Sequence, residues 1–427
     1  MARRTAGAET TAPHGSAPMR HGRLRASHPF AAIAKVLAAT IAVIAVSGAS
    51  IGAFAVYGTI SNIKPGIHLE HLAGAKQPSV PSVGAISGEV NILLAGTDTR
   101  TGQAGFQTKD QLAGSSGIGN NDVTMLLHVS ADHTNATVVS FPRDLVKIPL
   151  CGKSISHAMF NTTLSHGLSC VVQTVEKMTG LSIPYAGVIT FDGVIGMSNA
   201  VGGVTVCLAT PVKDRYTDPQ LNLAAGQQTL VGAEALSFLR SRHGVGDGSD
   251  LGRISNQQVF LSALTRKITG DGVLKNPITL FKLANAALSN LQLSDTLTNP
   301  TTLVSIALAL KAIPLGNIVF VQYPSTSDPT VPNRVVPDTS AATALTAALH
   351  SNLPISLTGK LGRAAVADPS ASVPKATTPP TSAKPAGPTA APSGTPPTGS
   401  TPAPTAIALP STITGQSAGQ TTCTKGN

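Results

Sequence analysis

Two aspartates and four arginines stand out in a chain of which only 12% of residues are charged. Asp98 follows an apolar run in Asn91-Ile92-Leu93-Leu94-Ala95-Gly96-Thr97-Asp98-Thr99-Arg100, and Asp122 opens another in Asn121-Asp122-Val123-Thr124-Met125. Carboxylates at adjacent strand ends can share one hard cation, because Mg²⁺ takes one or two carboxylates together with phosphate oxygens of a substrate. Two such residues can equally do no more than cap turns. The arginines are Arg143 in Phe141-Pro142-Arg143-Asp144, Arg240 and Arg242 around Ser241, and Arg253 in Asp250-Leu251-Gly252-Arg253. Guanidinium forks match phosphate oxygens in bidentate geometry, so their concentration points to a phosphorylated ligand. The competing reading is surface ion pairing with Asp144 and Asp250, or complementation of a helix C-terminus by Arg240 and Arg242. His243 beside Arg242, and His157 and His166, read as loop residues.

These residues need elements to hold them. Val90 to Ala95, Asp122 to Ser130 and Ala136 to Phe141 read as strands, the last two joined by the polar turn 131–135. Cys170 to Thr179 carries apolar residues at helical spacing and ends at Gly180, a C-cap signal. Ile183 to Thr190, Phe191 to Val201 and Val204 to Leu208 read as strand, helix, strand. Val231 to Arg240, Ile254 to Ile268 and Thr301 to Ala312 read as helices, and Asn317 to Tyr323 as a strand. The pattern implies an α/β fold with a sheet covered by helices on both faces.

The ends of the chain differ from this core. Arg3, Arg4, Arg20, Arg23 and Arg25 precede an uncharged stretch from Val36 to Ile60. About 20 apolar residues cross the hydrocarbon of a bilayer, and flanking arginines stay on the cytoplasmic side. Residues 1–35 are therefore expected in the cytoplasm, 36–60 as a transmembrane helix and 61–87 as a linker. A cleaved signal peptide is the alternative, since Ala53-Phe54-Ala55 resembles a cleavage site. In either case the core lies outside the cytoplasm. Its four cysteines, Cys151, Cys170, Cys207 and Cys423, then face an environment where disulfides persist. Pairing Cys151 with Cys170 closes a local loop and leaves Cys207 for Cys423; buried free thiols are the alternative. Twelve of 31 prolines fall between Pro369 and Pro410. That stretch reads as a disordered or extended tether within a C-terminal extension over 326–427, and the chain after Asp368 is expected to be dispensable for chemistry. The formal net charge of +10 suits an anionic membrane face or a phosphorylated substrate. The absence of Lys/Arg runs and the sparse aromatics argue against nucleic acid.

The ordered series Leu93 to Arg100, Asp122 to Met125, Phe141 to Asp144, Gly202-Gly203-Val204, Arg240-Ser241-Arg242-His243 and Asp250 to Arg253 followed by Gln257 resembles the LytR-CpsA-Psr family over residues 88–270. The resemblance implies an α/β/α sandwich with a central mixed sheet over 88–325. It also implies a membrane-bound transferase that moves a glycopolymer from a polyprenyl-diphosphate carrier to peptidoglycan. On this basis Asp98 and Asp122 would hold Mg²⁺ or Mn²⁺. Arg143, Arg240, Arg242 and Arg253 would grip the diphosphate, with Gln257 orienting it and Arg100 a further candidate. Asp98, or else Asp250, would serve as general base, and Arg143 would stabilise charge in catalysis. The chain departs from the family pattern at Asn120 and Asn121, where an arginine is usual, and at Asn256. Lys153 sits in only a loose echo of a family segment and receives no role. The Gly/Ser-rich stretch 101–119 reads as an insertion, either a flexible lid or a surface loop. A lipid-diphosphate hydrolase and a non-catalytic wall-binding protein remain as alternatives. The arginine-flanked span predicts that protease added to spheroplasts digests the core and spares the first thirty residues; a protected core would reverse the orientation.

Overall fold

In the computed structural model the described residues are 65–72, 86–106, 108–113, 115, 117–270, 286–370 and 406–427. The expected cytoplasmic segment and transmembrane helix, and the proline-rich stretch 371–405, lie outside them. Among the described residues no helix is long and apolar enough to cross a membrane.

The strands of the two larger sheets are β1 (Val90–Thr97), β2 (Asn121–Val129), β3 (Ala136–Phe141), β4 (Tyr185–Ile189), β5 (Val204–Leu208), β6 (Gly226–Leu230), β7 (Leu291–Leu293), β8 (Ile318–Gln322), β9 (Ala365–Ala367), β10 (Gly415–Ser417) and β11 (Thr422–Thr424). Seven of them form a central sheet in the order β7-β4-β1-β2-β3-β8-β10. It is mixed: β1 runs parallel to β4 and β3 to β8, while the other neighbours are antiparallel. Both faces are covered, as the near-continuous apolar strands require. Alternate residues serve opposite faces. Leu93 and Ala95 pack with Leu126, Val139 and the helices α1 (Leu168–Thr179) and α6 (Thr339–His350). Ile92 and Leu94 face the other layer, where α5 (Pro300–Lys311) contributes Ile306 and Ala309. Gly180 closes α1 in the left-handed conformation, φ 70°, with its N–H bonded to the Glu176 carbonyl.

Three helices shape the second layer. Thr190 caps α2 (Phe191–Ala200) by accepting from the Gly193 N–H. The other two, α3 (Gly232–Arg240) and α4 (Asp250–Gly270), lean on a smaller sheet ordered β6-β5-β11-β9. Val204, Val206, Phe238 and Phe260 form its apolar centre. The helix expected from Ile254 begins one turn earlier, at Asp250. The strand expected at Val204 to Leu208 forms, but in this second sheet.

The C-terminal region departs most from expectation. The boundary at residue 325 cuts through the folded body rather than along its edge. Beyond it, α6 fills the core of the first layer, and β10 pairs with β8 at one edge of the central sheet. At the other end of the chain's path, β11 inserts between β5 and β9, and Cys423 bonds Cys207 across the β5–β11 pair. Cys151 bonds Cys170, so both expected disulfides form. The sequence pattern missed these strands because each is three residues long, and those at 415–417 and 422–424 are rich in Gly, Ser and Thr. Their hydrogen bonds are made by tertiary pairing rather than by local propensity. Removing everything after Asp368 should therefore leave an unstable domain. Cys423→Ala alone should lower unfolding stability by ~2–5 kcal/mol, read as the urea midpoint under oxidising conditions. An unchanged midpoint in the truncated chain would restore the dispensable-tether expectation.

Candidate functional site

The strand ends that carry the expected site residues all lie at one end of the central sheet, because β1 and β3 finish where the antiparallel β2 begins. A register break helps to aim one of them. Gly96 pairs with Val123, but Thr97 pairs with Asn121, so Asp122 is the extra residue of a β-bulge. Bulges re-aim a side chain. Here the result is that Asp122 and Val123 both face one cavity.

That cavity measures about 430 Å³ and sits between the central sheet and α2, α3 and α4. Its walls are apolar, from residues such as Met125, Ile189, Val194, Leu236, Leu261 and Ile268. Asp122, Arg143, Arg240, Arg242, Arg253 and Gln257 also line it. The sequence thus identified most of the charged lining but not the apolar chamber, which is assembled from residues far apart in the chain.

The four arginines fall into two pairs. Arg143 donates from Nη1 to Asp122 Oδ1 at 2.7 Å, and its backbone N–H donates to Asp250 Oδ2 at 3.2 Å. Arg253 donates from Nη2 to Asp250 Oδ1 at 2.6 Å and to the Asp122 carbonyl at 2.7 Å. Asp250 and Arg253 are 6% and 5% exposed, so this is a buried network. Burial disfavours the Arg143 charge, yet Asp122, Asp250 and Asp144 more than offset it and hold its pKa above the ordinary value. Arg240 and Arg242 make no ion pair among the described residues. Burial first, then the like charge of Arg100 and Arg253, lowers the Arg240 pKa; burial, Arg143 and Arg253 do the same to Arg242. Among the described residues the buried Nε donors of Arg143, Arg242 and Arg253 have no hydrogen-bond partner. At Arg242 that unspent donor lies in surroundings that also disfavour the guanidinium charge, a combination that suits an anion.

The remaining candidates separate in position. Asp250 spends both oxygens on Arg143 and Arg253, which makes it a positioning residue that joins the end of β3 to the start of α4. That leaves it poorly suited to the expected role of general base. Gln257 is 3% exposed and donates from Nε2 to the Leu239 carbonyl at 3.0 Å, so it ties α4 to α3 as well as lining the cavity. Asp98 does not line the cavity. Its Oδ1 accepts from the Asn120 N–H at 2.7 Å, and its Oδ2 lies 3.5 Å from Asn120 Nδ2. Gly119, at φ +77°, permits this approach, since a Cβ there would lie 2.6 Å from Asp98 Oδ1. Arg100 packs 5.6 Å from the Phe106 ring, Phe106 lies 5.8 Å from Phe191, and Arg240 sits 4.2 Å over Phe191. His243 is exposed against Tyr216 at the cavity wall, while His157 and His166 are exposed elsewhere.

One residue escaped the sequence reading. Asp214, 3% exposed, accepts from Ser241 Oγ at 2.7 Å and from the Gly244 N–H at 3.2 Å, which fixes the loop bearing Arg240 and Arg242. Burial raises its pKa, but these bonds outweigh burial and leave it lowered. Its contribution to stability is thus present above the ordinary carboxylate pKa and is lost as pH falls through the lowered one. Nothing in Lys213-Asp214-Arg215 signals this role.

A metal must fit what remains of the carboxylates. Asp98 meets no cation among the described residues, and Asp122 shares its charge with Arg143 and, at 3.9 Å, with Arg253. Each ionised carboxylate offers about four lone-pair sites. Both therefore retain acceptor capacity for a hard cation.

An apolar chamber beside partly buried guanidiniums that make no ion pair among the described residues has the polarity to receive an amphipathic anion. Residues 59–351 match the LytR_cpsA_psr family, and the chain belongs to it. It is 29% identical over 272 residues to the cell wall biosynthesis protein LcpA of Corynebacterium glutamicum, covering 57% of this chain and 51% of that one. It is 32% identical over 209 residues to the polyisoprenyl-teichoic acid–peptidoglycan teichoic acid transferase TagU of Oceanobacillus iheyensis, covering 48% and 59% respectively. The chain thus spans between half and three fifths of the length of these curated relatives. The crystal structure of protein gbs0355 from Streptococcus agalactiae shares the fold, with a TM-score of 0.50 at 20% identity over 62% of this chain and 88% of that one.

The two arginine pairs should respond differently to mutation. Arg240→Lys and Arg242→Lys should each weaken binding of a short-chain polyprenyl diphosphate by roughly ten- to a hundredfold, the equivalent of ~1.5–3 kcal/mol for a charged hydrogen bond. Their melting temperatures should stay near wild type. Arg253→Ala should instead cost ~3–5 kcal/mol of stability by orphaning buried Asp250. Calorimetric titration and thermal melts on all three variants separate the classes. Unchanged affinity in both Lys variants would make those arginines structural.

Proposed function

We propose that this chain transfers a glycopolymer from a polyprenyl-diphosphate carrier to peptidoglycan at the outer face of the membrane, with residues 36–60 as its anchor. The observation that carries this is the junction of an apolar chamber with Arg240 and Arg242, two guanidiniums that lack a counter-ion among the described residues. The prenyl chain occupies the chamber, and its diphosphate takes the place of the missing anion. The family and the names of the relatives, LcpA in cell wall biosynthesis and TagU as a teichoic acid transferase, support the same reading.

In the reaction an acceptor hydroxyl attacks the phosphorus that bears the glycan. An O–P bond forms, the bridging P–O bond breaks, and polyprenyl phosphate leaves. Arg240 and Arg242 stabilise the charge that develops on the leaving phosphate, and they do so at fixed positions with little reorganisation. Asp250 and Asp122 hold Arg143 and Arg253 beside them. Asp98 and Asp122 would hold Mg²⁺ or Mn²⁺, whose chemistry is neutralisation of diphosphate charge. Asp98 is better suited than Asp250 to accept the hydroxyl proton, because no guanidinium is bonded to it.

A labelled lipid-linked glycan incubated with and without a peptidoglycan acceptor tests this directly. The label should move to the acceptor only when acceptor is present, and Asp98→Ala and Asp122→Ala should reduce transfer to background in Mg²⁺ buffer. Equal consumption of the lipid without acceptor would identify a hydrolase instead.

A further inference from the structure

A second cavity, about 600 Å³, adjoins the first and shares Thr97 and Thr190 with it. Its size falls within the ~300–1,000 Å³ typical of ligand sites. The chemistry of its lining is different. Thr99, Thr101, Gln103, Asp192, Asn290 and Gln292 face it, and among the described residues no lysine or arginine does.

One wall is made by Thr101 to Gln103 and by Gly117 and Ile118, the two ends of the stretch that the sequence presents as an insertion. The described part of that stretch is tied to the folded body rather than free. Thr99 Oγ1 donates to the Gly117 carbonyl at 3.0 Å, Gln103 Oε1 accepts from the Asp192 N–H at 2.9 Å, and Asp192 Oδ2 accepts from the Ala104 N–H at 2.8 Å. Thr97 Oγ1 bonds the Ile118 carbonyl. The cavity is therefore a built feature of the chain.

The polar capacity left over is mixed. Asn290 spends Nδ2 on the Ala286 carbonyl at 2.9 Å, which leaves its carbonyl oxygen available. Asp192 keeps Oδ1, and the exposed Gln292 keeps a whole amide. Donors and acceptors interleaved without a cation suit a ligand whose groups are hydroxyls, and they do not suit a phosphate. Asp192, the single ionisable side chain in this lining, opposes a second negative charge.

We infer that this polar cavity holds the first sugar of the lipid-linked glycan, and that it selects a neutral sugar against an acidic one. The inference rests on the transferase reading above, because the shared Thr97–Thr190 wall places the cavity next to the diphosphate end of the prenyl chamber. Gln292 and Asp192 are its specificity residues.

The test uses the detergent-solubilised full chain and three short-chain polyprenyl diphosphates: unglycosylated, bearing glucose, and bearing glucuronate. Glucose and glucuronate differ only at C6, a neutral hydroxymethyl in one and a charged carboxylate in the other. The glucose-bearing lipid should bind wild type about tenfold tighter than the bare lipid, the increment of one or two net hydrogen bonds. Glucuronate should lose that increment. Gln292→Ala should lose most of the glucose increment with bare-lipid affinity unchanged. Asp192→Asn, which keeps an acceptor and removes the charge, should bring glucuronate to within about twofold of glucose, a difference of ~0.4 kcal/mol. Equal wild-type affinity for all three lipids would overturn the inference while leaving the transferase reading intact. So would both variants retaining wild-type discrimination. Failure of wild type to bind any of the three would overturn the transferase reading, and this inference with it.

Discussion

The arrangement of the site depends on one buried carboxylate. Asp250 opens α4 and accepts at 2.6 Å from Arg253 of the same helix and at 3.2 Å from the backbone of Arg143. Two elements that meet only in the tertiary structure, the end of β3 and the start of α4, are thereby fixed to one another. Asp122 closes the circuit through Arg143 Nη1 and its own carbonyl. A buried ion pair is a poor source of net stability, since desolvation consumes most of its Coulombic gain. Its value here is registry. The network sets where the mouth of the apolar chamber lies relative to the arginines that remain unpaired.

A division of labour follows among groups that look equivalent in the sequence. Arg143 and Arg253 are neutralised by the fold, whereas Arg240 and Arg242 are not. Carrying two guanidiniums without counter-ions costs the free protein stability, visible as their lowered pKa values. On the proposed reading, that cost would make an entering diphosphate favourable, because each phosphate contact would relieve repulsion as well as add a hydrogen bond. Asp214 has the complementary task. It holds Ser241 and Gly244 so that the strained charges cannot relax by swinging into solvent.

How much of this was legible depended on whether the signal was local. The strands Ala136–Phe141 and Val204–Leu208 and the helix ending at Gly180 follow from apolar runs and a C-cap glycine, and they form where the pattern places them. The aspartates and arginines were recognisable because charge is scarce and their order matches a family. What could not be read was whatever depends on pairing at a distance. Nothing in Gly415-Gln416-Ser417 marks an edge strand of the central sheet, and nothing before Asp122 announces the bulge that turns it inward. The two arginine pairs could not be told apart either, because the sequence shows which cations exist but not which anions reach them.

The C-terminal strands connect this failure of prediction to the site itself. Gln416 donates to the Gln258 carbonyl of α4, and Thr424 donates to Asn256 Oδ1 on the same helix. The Gly246 N–H donates to the Lys425 carbonyl, and Arg363 pairs with Asp247 at 2.6 Å, so the loop between Arg242 and Asp250 is also held from this side. The Cys207–Cys423 bond anchors that layer to β5. Helix α4 carries Arg253 on a turn whose neighbours are fixed by residues more than 150 positions later in the chain. A segment that composition suggests is a tail thus braces the helix that carries Arg253 into the cavity. Its short strands are tolerated because they are buried against α4, where every backbone group that leaves water must find a partner.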